Sequence, residues 1–532
     1  MTDEPQEDPR GASRAGTPTS GAPAVSARSS PAGGRADREE RHDVVIVGSG
    51  VGGSIAALRL ARAGIRAVVL ERGRRWPLDP AGTTFPAFPS LDRRLVWLDG
   101  ESSPFPPLRS GPWARLFEAV EAALPRSTGL LDVMTEEGAV IVCGAGVGGG
   151  TLVYGGVLAQ PRPAAFRRVF PALDHEEFDR VHYPRARRRL GGAPFPRDLL
   201  DEPPYRAHRL FDRAVRASGL PAETIVSAFD FDALRDELGG ARPAAAIVGQ
   251  YHFTGCNSGA RTSVDRTCLA EAEATGRTRV RPLHRVTDLA LDRRHGYRVL
   301  AEHLAQDGTV RERVAFHCDR LVLAAGVHTP RLLLAARDSG ALPGLHPSIG
   351  EDWGANGDHV AVVRTPALSR DTVQGGPSAT LVHDAAGTVG VMHAPLTLPL
   401  GAGEVVCLGM GISDRFGRWV RSADGRIGLE WEADREAGAR ARVEDVVRRM
   451  AGHLPDATVT PLNPSRPVVA HAVGGVRLGR ATDAHGRLHG HPGLYCLDGA
   501  LLPGTAGAVN PALTIAAVVE HCLDHVLADF TG

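Results

Sequence analysis

The chain has 532 residues, 43% of them hydrophobic, which is enough for roughly two to four domains with a large core. Sixty-one basic and sixty-one acidic residues cancel, so no overall charge favours binding to nucleic acid or to an anionic membrane, and small molecules are the expected partners. All the basic residues are arginine, which excludes chemistry that needs a lysine amine, such as Schiff-base catalysis. The seven cysteines are scattered without a CxxC pair, and we expect reduced, mostly buried thiols: Cys143, Cys256, Cys268, Cys318, Cys407, Cys496 and Cys522.

Residues 1–41 are rich in Pro, Gly, Ala, Ser and charged side chains. Such a segment buries too little surface to offset its chain entropy, so we predict a disordered tail. It has no apolar stretch of the kind that an export signal requires, and we expect a cytoplasmic protein.

Residues 43–71 have the pattern of a strand, a glycine turn, a helix and a second strand ending in an acid. Gly48, Gly50 and Gly53 occupy the GxGxxG positions of a dinucleotide-binding unit, about twenty residues before Glu71. Gly48 would form the turn, Gly50 would admit the pyrophosphate, and Gly53 would let helix and strand pack closely. Glu71 would accept hydrogen bonds from ribose hydroxyls, which disfavours NADP, but the motif does not choose between NAD and FAD.

Seven aromatic residues follow within a proline-interrupted stretch: Trp76, Phe85, Phe88, Trp97, Phe105, Trp113 and Phe117. They fit either an ordinary buried connection or a lid that covers a bulky apolar substrate.

Residues 138–159 carry no charge over about the length of a membrane span. Eight of them are glycine, and the consecutive Gly148, Gly149 and Gly150 would destabilise a helix. We therefore predict a buried loop against a flat ligand, and no stable membrane insertion.

Two further units lie downstream. Residues 321–334 have the pattern of a strand, a glycine turn and a helix, and in residues 494–526 Asn510 and Pro511 mark a helix start. The economical role of Asn510 is that of a helix N-cap, which is compatible with a contact to substrate.

These motifs, together with GVGGGTLVYGG at 146–156, HAVGG at 471–475 and DGALLPG…VNPALT near the end, resemble the glucose-methanol-choline (GMC) flavin oxidoreductases. Segments 336–359 and 478–504 are similar to the bacterial cholesterol oxidase branch of that family. The resemblance implies a mixed α/β (α+β) fold, in which a Rossmann-like FAD-binding domain is joined to a discontinuous substrate domain on an antiparallel sheet. The implied pieces are 42–75, 130–160, 265–340 and 475–532 for FAD, and 76–129, 161–264 and 341–474 for the lid and substrate domain.

The resemblance also implies non-covalent FAD and a catalytic pair, His471 and Asn510. A neutral imidazole suits removal of a hydroxyl proton while hydride moves to the flavin, and the asparagine amide can fix the substrate oxygen. The implied cofactor-binding residues are Gly48, Gly50, Gly53, Glu71, Gly148, Gly149, Gly150, Tyr154, Val286, Asp498 and Pro511.

The sequence departs from the cholesterol oxidases at two places. Tyr154 stands where they carry asparagine, and Met392 aligns with the glutamate that moves protons during their isomerase step. We therefore expect oxidation without isomerisation, with Glu404 as the nearest acid that could substitute.

Other histidines have weaker assignments. His485, His489 and His491 are close in sequence but lack a carboxylate or thiolate at ligand spacing, so no metal site is expected there. His359 and His393 are candidates for the pocket wall that the sequence does not place.

The leading function is thus FAD-dependent oxidation of a hydroxyl on a bulky alicyclic, sterol- or terpenoid-like molecule, with oxygen as a candidate electron acceptor. Two alternatives stay open on the sequence: a flavin-containing lyase without net redox chemistry, and a non-enzymatic binding protein of the same fold.

Overall fold

The structure is a computed structural model that describes residues 35–98, 127–369, 372–395, 403–462 and 467–530. The strands are β1 (Arg38–Val47), β2 (Ala67–Leu70), β3 (Leu131–Thr135), β4 (Val140–Gly144), β5 (Ala193–Pro194), β6 (Ala222–Thr224), β7 (Val226–Ser227), β8 (Thr278–Arg281), β9 (His284–Asp292), β10 (Gly296–Leu304), β11 (Val310–Leu323), β12 (Asp358–Arg364), β13 (Thr380–His383), β14 (Val389–His393), β15 (Glu404–Gly411), β16 (Arg418–Arg421), β17 (Ile427–Glu430), β18 (Thr458–Leu462), β19 (Val468–Val469) and β20 (Leu494–Cys496).

The α-helices are α1 (Val51–Arg62), α2 (Pro163–Val169), α3 (His175–Glu177), α4 (Tyr183–Arg189), α5 (Arg206–Ser218), α6 (Phe231–Leu238), α7 (Cys268–Ala274), α8 (Thr329–Asp338), α9 (Ala437–Ala451) and α10 (Pro511–Val526). A π-helical turn, Phe178–His182, joins α3 to α4.

The first sheet has the strand order β8-β2-β1-β11-β10-β9, with β20 paired to β11. The strands β8, β2, β1, β11 and β20 run parallel, whereas β10 is antiparallel to both β9 and β11. β1 lies between β2 and β11, and the turn after Val47 is at its carboxyl end, which is the edge where open α/β sheets bind ligands.

The first strand begins earlier than the sequence predicts. β1 starts at Arg38 and pairs with β11 from Arg38↔Val314 onward, so the predicted disorder of residues 1–41 is wrong for residues 38–41. These residues are charged and mainly exposed, and main-chain pairing, which composition does not reveal, holds them in the sheet. Residues 35–37 of that predicted tail are also described, and the N–H of Asp37 donates to the carbonyl of Arg313 at 2.8 Å, whereas residues 1–34 lie outside the described residues.

The second sheet is antiparallel throughout, in the order β18-β12-β15-β14-β13-β6. Its core cluster contains Val363 and Val405 from the sheet and Val443, Val447 and Met450 from α9. The mixed α/β fold that the family resemblance implies, with a Rossmann-like sheet and a separate antiparallel sheet, is confirmed.

The two sheets divide the chain in a simple way. Apart from the start of β1, every strand of the first sheet lies within the pieces assigned to the FAD domain, and every strand of the second lies within the substrate pieces. A third sheet, β19-β4-β3, joins residues 131–144 to residues 468–469, so it links a segment of each predicted domain. The exact domain limits stay a prediction.

The uncharged stretch 138–159 does not form a long helix. It contains β4 followed by a 3-10 turn, Gly149–Leu152. Among the described residues, the one helix long and apolar enough to span a membrane is Pro511–Phe530, with a mean hydropathy of 1.2. Sixty-seven per cent of its apolar window is buried inside the protein, as in the core helix of a globular fold. All seven cysteines are described, unbridged and at least partly buried.

Candidate active site

The turn after β1 and the start of α1 leave no room for side chains at three glycines. Gly48 has φ +98°, and a Cβ there would lie 2.2 Å from the carbonyl oxygen of Ala324. A Cβ on Gly53 would lie 2.0 Å from the carbonyl oxygen of Gly48, so helix α1 packs directly against the turn. The sequence did not single out Gly52, whose Cβ would lie 1.8 Å from the carbonyl oxygen of Leu497.

Three further glycines form a bare main-chain surface in the cavity wall. Gly50 and Gly149 approach each other so closely that a Cβ on Gly149 would lie 2.7 Å from the Cα of Gly50, whereas Gly150 has no atom within 4 Å of its Cβ position. All three line the main cavity. This bare main-chain surface at the start of α1 fits a dinucleotide pyrophosphate, which Cβ atoms would exclude.

Gly148 supports this surface from behind. It does not line the cavity; its N–H donates to Oγ of Ser49 at 3.1 Å. Its φ of +112° explains why glycine is needed there.

Glu71 connects the turn to the end of β2. Its carboxylate accepts hydrogen bonds from the N–H of Ser49 (3.1 Å), the hydroxyl of Ser49 (2.6 Å) and the N–H of Gly73 (2.9 Å). Burial raises the pKa of Glu71 even though these bonds oppose the shift. The side chain lines the cavity, so Glu71 both fixes the turn and presents an acceptor where the ribose contact is predicted.

The other predicted cofactor residues line the same cavity. Asp498 accepts from the N–H of Gly326 (2.8 Å), the N–H of Ala500 (2.8 Å) and the hydroxyl of Thr329 (2.6 Å), and burial raises its pKa to about 6. Asp498 thereby fastens the start of α8 to the segment after β20. The hydroxyl of Tyr154 donates to the carbonyl of Thr262 at 3.1 Å. Val286 and Pro511 also lie in the cavity wall.

The cavity has a volume of about 1680 Å³ and runs from the glycine surface to the predicted catalytic pair. Ordinary ligand pockets have volumes of roughly 300–1,000 Å³, so this one has room for a dinucleotide together with a second molecule. FAD would be held by the glycine surface, Glu71 and the segment around Asp498, and would supply a hydride acceptor.

His471 and Asn510 meet at this cavity. Nδ2 of Asn510 lies 3.5 Å from Nε2 of His471, and both residues are in the cavity wall. Asn510 occupies the N-cap position of α10, yet its side chain makes no capping hydrogen bond, so the predicted capping role is wrong for the side chain. No hydrogen-bond partner of Oδ1 of Asn510 is found among the described residues. Oδ1 is therefore available to accept a hydrogen bond from a ligand, and the N–H of Nδ2 that does not face His471 is available to donate one.

Asp358, which sequence analysis did not select, pairs with His471. Its Oδ2 lies 2.7 Å from Nδ1 of the imidazole. Burial lowers the pKa of His471, but the neighbouring carboxylate outweighs burial, and the net pKa is raised. Asp358 and His359 are consecutive in β12 and point to opposite faces, as strand residues do. His359 therefore lies near Glu444, at 3.4 Å, and not in the cavity wall.

Asn356 holds the same region together. Its Nδ2 donates to the carbonyl of Val509 at 3.0 Å and to Oδ1 of Asp358 at 3.4 Å, and its Oδ1 accepts from the N–H of Ala506 at 2.8 Å. The residue has φ +61°, a conformation that asparagine tolerates better than most residues. Asn356 thus links the loop before Asn510 to the partner of His471.

His252 is another residue that the sequence did not indicate. It lies in the cavity wall, its ring stacks on Phe253 with a centroid distance of 4.6 Å, and burial together with the nearby His471 lowers its pKa to about 3. A neutral imidazole at this position can exchange hydrogen bonds with substrate without repelling a protonated His471.

Several sequence candidates lie elsewhere. His393 contacts the carbonyl of Val406 at 3.1 Å and packs on His208, away from the cavity. Met392 is buried in β14 between Leu381 and Leu408 and does not line the cavity.

Glu404 begins β15 and pairs with Arg364 at 2.6 Å. It borders a separate small pocket, not the main cavity.

The lid prediction is only partly covered by the structure. Trp76 stacks on Phe85 with a centroid distance of 5.6 Å, and neither these two nor Phe88 and Trp97 line the cavity, so the described part behaves as a buried connection. The remaining members of that aromatic set, Phe105, Trp113 and Phe117, lie outside the described residues.

The local set His485, His489 and His491 does not converge. His491 contacts the carbonyl of Pro343 at 3.0 Å, and the ring of His489 lies 5.8 Å from that of His346. His485 turns instead toward the end of α10.

Two protein-family models match parts of the chain. Residues 432–518 match the GMC oxidoreductase family, and residues 41–84 match the FAD binding domain. The first match contains His471 and Asn510, and the second contains Gly48, Gly50 and Glu71.

The similarity to curated proteins extends over nearly the whole chain. A cholesterol oxidase of Mycobacterium tuberculosis is 25% identical, with 90% of each chain covered. A cholesterol oxidase of Acinetobacter baumannii is 23% identical over 92% of this chain and 95% of its own.

Two solved structures share the fold. Pyridoxine 4-oxidase from Mesorbium loti has a TM-score of 0.60 at 15% identity, and a fungal aryl-alcohol oxidase has 0.59 at 13%. Each comparison covers 92% of this chain and 99% of the other.

Proposed function

We propose that the substrate of this chain is a bulky alicyclic alcohol, sterol- or terpenoid-like, which is oxidised at a hydroxyl group to a ketone. The chain belongs to the GMC oxidoreductases. The chain is an FAD-dependent enzyme that acts on alcohols. The observation that carries the proposal is the continuous cavity of about 1680 Å³, which joins the glycine surface to the His471–Asn510 pair.

The residues around this pair suit a secondary alcohol. Nε2 of His471 can take the hydroxyl proton, while the Asn510 amide donates a hydrogen bond to the same oxygen and sets its angle. Bound FAD supplies the hydride acceptor.

The neighbouring wall combines apolar and aromatic groups, Val157, Phe253 and the ring of Tyr154, which suits a ring-bearing substrate better than a small polar one. The cholesterol oxidases among the similar proteins, at identities near 25%, support a ring-bearing substrate. We further propose molecular oxygen as electron acceptor.

The test is anaerobic bleaching of the FAD-loaded protein by a panel of alcohols. The panel contains a 3-hydroxysteroid, a cyclic terpenoid alcohol, pyridoxine, benzyl alcohol and ethanol, followed by product identification and a peroxide assay in air. Rapid bleaching by the alicyclic alcohols, with ketone formed, supports the proposal. Bleaching only by pyridoxine, benzyl alcohol or ethanol contradicts the substrate class, and turnover without carbonyl product or peroxide indicates a lyase.

A further inference from the structure

Four histidines gather at the carboxyl-terminal end of α10, far from the cavity. This histidine cluster consists of His182, His485, His521 and His525. The ring centroids of His485 and His525 are 4.0 Å apart, those of His521 and His525 5.0 Å, and those of His182 and His521 5.2 Å. His521 is eleven residues along the helix from Asn510, a distance of about 16 Å. The cluster therefore belongs to no part of the proposed active site.

His521 stands at the centre of the cluster without a partner. It is only 7% exposed, and neither ring nitrogen has a hydrogen-bond partner among the described residues. A buried polar group without a partner is costly and uncommon, and a bound water or ion is the usual explanation. The groups around His521 are themselves imidazoles, whose ring nitrogens can bind a metal ion. This favours an ion over water.

The spacing of three of these residues suits metal binding. His521 and His525 are four residues apart and share a face of α10, and His485 approaches from the turn after Asp483. One nitrogen of each lies within 4.8 Å of the others. A tetrahedral zinc site with Zn–N bonds near 2.0–2.1 Å places its ligand nitrogens about 3.3 Å apart, which small side-chain rotations can reach.

The surroundings of the triad add two typical features of metal sites. His525 is exposed and His485 is half-buried, which gives an ion a route of entry. Nδ1 of His485 lies 4.0 Å from Oδ2 of Asp483, and the other oxygen of that carboxylate accepts the N–H of His485 and that of Arg487. Oδ2 of Asp483 also accepts from Nη1 of Arg487 at 3.1 Å, and a small rotation of the His485 ring would bring its Nδ1 into hydrogen-bond distance of this carboxylate, which is a common outer-shell arrangement.

A second set of ligand atoms, from Glu177, His182 and His521, also lies within 4.8 Å. Two of its members are already paired with each other, because Nε2 of His182 contacts Oε1 of Glu177 at 3.1 Å. His182 is also fully buried, so an ion would have no direct access to it.

We propose that His485, His521 and His525 bind one divalent late transition-metal ion, Zn²⁺ in the first instance, with water in the fourth position. Three neutral nitrogen ligands favour zinc, copper or nickel over magnesium or calcium. The ion would fasten the end of α10 to the turn that contains His485.

The test uses full-length, FAD-loaded protein without a histidine tag, because a tag would bind metal itself. After chelator treatment and dialysis, the protein is titrated with zinc chloride by calorimetry, bound zinc is counted by mass spectrometry, and the melting temperature is measured with and without zinc. We expect one zinc per chain and a higher melting temperature with zinc. Loss of an outer-shell partner costs roughly 10- to 100-fold in metal affinity, so His521→Ala and His525→Ala should each weaken binding by more than that.

The controls separate the possible outcomes. His489→Ala removes an exposed histidine of the same loop that lies outside the cluster, and it should bind zinc as the wild type does. His525→Ala keeps the test valid if the buried His521→Ala fails to fold, since His525 is exposed. Absence of stoichiometric zinc in the wild type overturns the proposal, as does unchanged binding in His525→Ala. Loss of zinc in His182→Ala with retention in His485→Ala and His525→Ala also overturns it, because the ion would then sit in the other set.

Discussion

Nδ1 of His471 lies 2.7 Å from Oδ2 of Asp358, which leaves Nε2 as the ring nitrogen that meets Asn510 at the cavity. The partner of one imidazole nitrogen decides what the other can do, so this contact prepares Nε2 to receive a proton. Asp358 also holds the pKa of His471 above its usual value, against the effect of burial. Orientation and basicity of the proposed base therefore come from one carboxylate.

The first prediction concerns this carboxylate. A base must be neutral to accept a proton, so the rate of flavin reduction should rise with pH through the raised pKa of His471. Asp358→Asn removes the charge that favours the imidazolium, the pKa falls, and the rising limb should move to lower pH. The measurement is anaerobic stopped-flow reduction across pH. Asp434→Asn, an exposed carboxylate on the turn before α9, is the control and should leave the profile in place. An unmoved limb in Asp358→Asn would show that the pairing does not set the titration.

The catalytic pair gives a second prediction. His471→Ala and Asn510→Ala should both retain FAD and reduce it about 10²- to 10⁴-fold more slowly, with the larger loss at His471. Since the Asn510 side chain makes no capping bond, Asn510→Ala should lose none of the roughly 1 kcal/mol that a cap contributes, and its melting temperature should match the wild type. Wild-type reduction rates in both variants would show that the pair is misplaced.

The sequence predicted the site unevenly, for physical reasons. Gly48, Gly53 and Glu71 belong to one short unit whose turn geometry is local, and the structure places them as their spacing suggests. Asp358 and Asn356 act on residues more than a hundred positions away, and only the packing of β12 against the C-terminal loop brings them there. The alternation of side chains along β12 predicts that Asp358 and His359 point to opposite faces of the sheet. It does not predict which of the two faces His471.

Glu71 carries the third prediction. Glu71→Ala removes the acceptor for Ser49 and Gly73 as well as the predicted ribose contact, so FAD affinity should fall by about 1.5–3 kcal/mol for each charge-assisted bond that contributes to binding. FAD dissociation is followed by recovery of flavin fluorescence on dilution. Glu39→Ala, whose side chain is 71% exposed on β1, is the matched control. Wild-type affinity in Glu71→Ala would refute the assignment.

Glu436 gives a prediction for stability. Burial, and next the charge of Asp358, raise its pKa from 4.5 to about 7, so the folded protein keeps a proton that the unfolded chain has lost. Stability is then lost as pH rises from about 4.5 to 7, by at most about 3 kcal/mol.

Glu436→Gln keeps an acceptor for the N–H of Gly357, which the carboxylate now binds at 3.2 Å, but has no proton to lose. Denaturant unfolding should therefore show a smaller fall in stability between pH 5 and about 8 in this variant, in line with the pKa-to-energy conversion. Exposed Glu432→Gln should behave as the wild type. Parallel pH dependences for Glu436→Gln and wild type would exclude this role of Glu436.

The last prediction concerns isomerisation. Moving a ring double bond requires a base that removes a proton and returns it, and the thioether of Met392 cannot hold a proton; in addition, Met392 is 3% exposed and lies outside the cavity wall. Glu404 cannot replace it. Asp358 pairs with Met410 and Arg364 with Glu404, so Glu404 is six residues along the β12–β15 pair from the site, about 20 Å at 3.4 Å per residue.

If a steroid with a hydroxyl and a neighbouring ring double bond is a substrate, the first turnovers should release the unconjugated ketone, and Glu404→Gln should give the same product at the same rate. Conjugated enone formed as fast as the flavin is reduced, and lost in Glu404→Gln, would instead assign the proton transfer to Glu404.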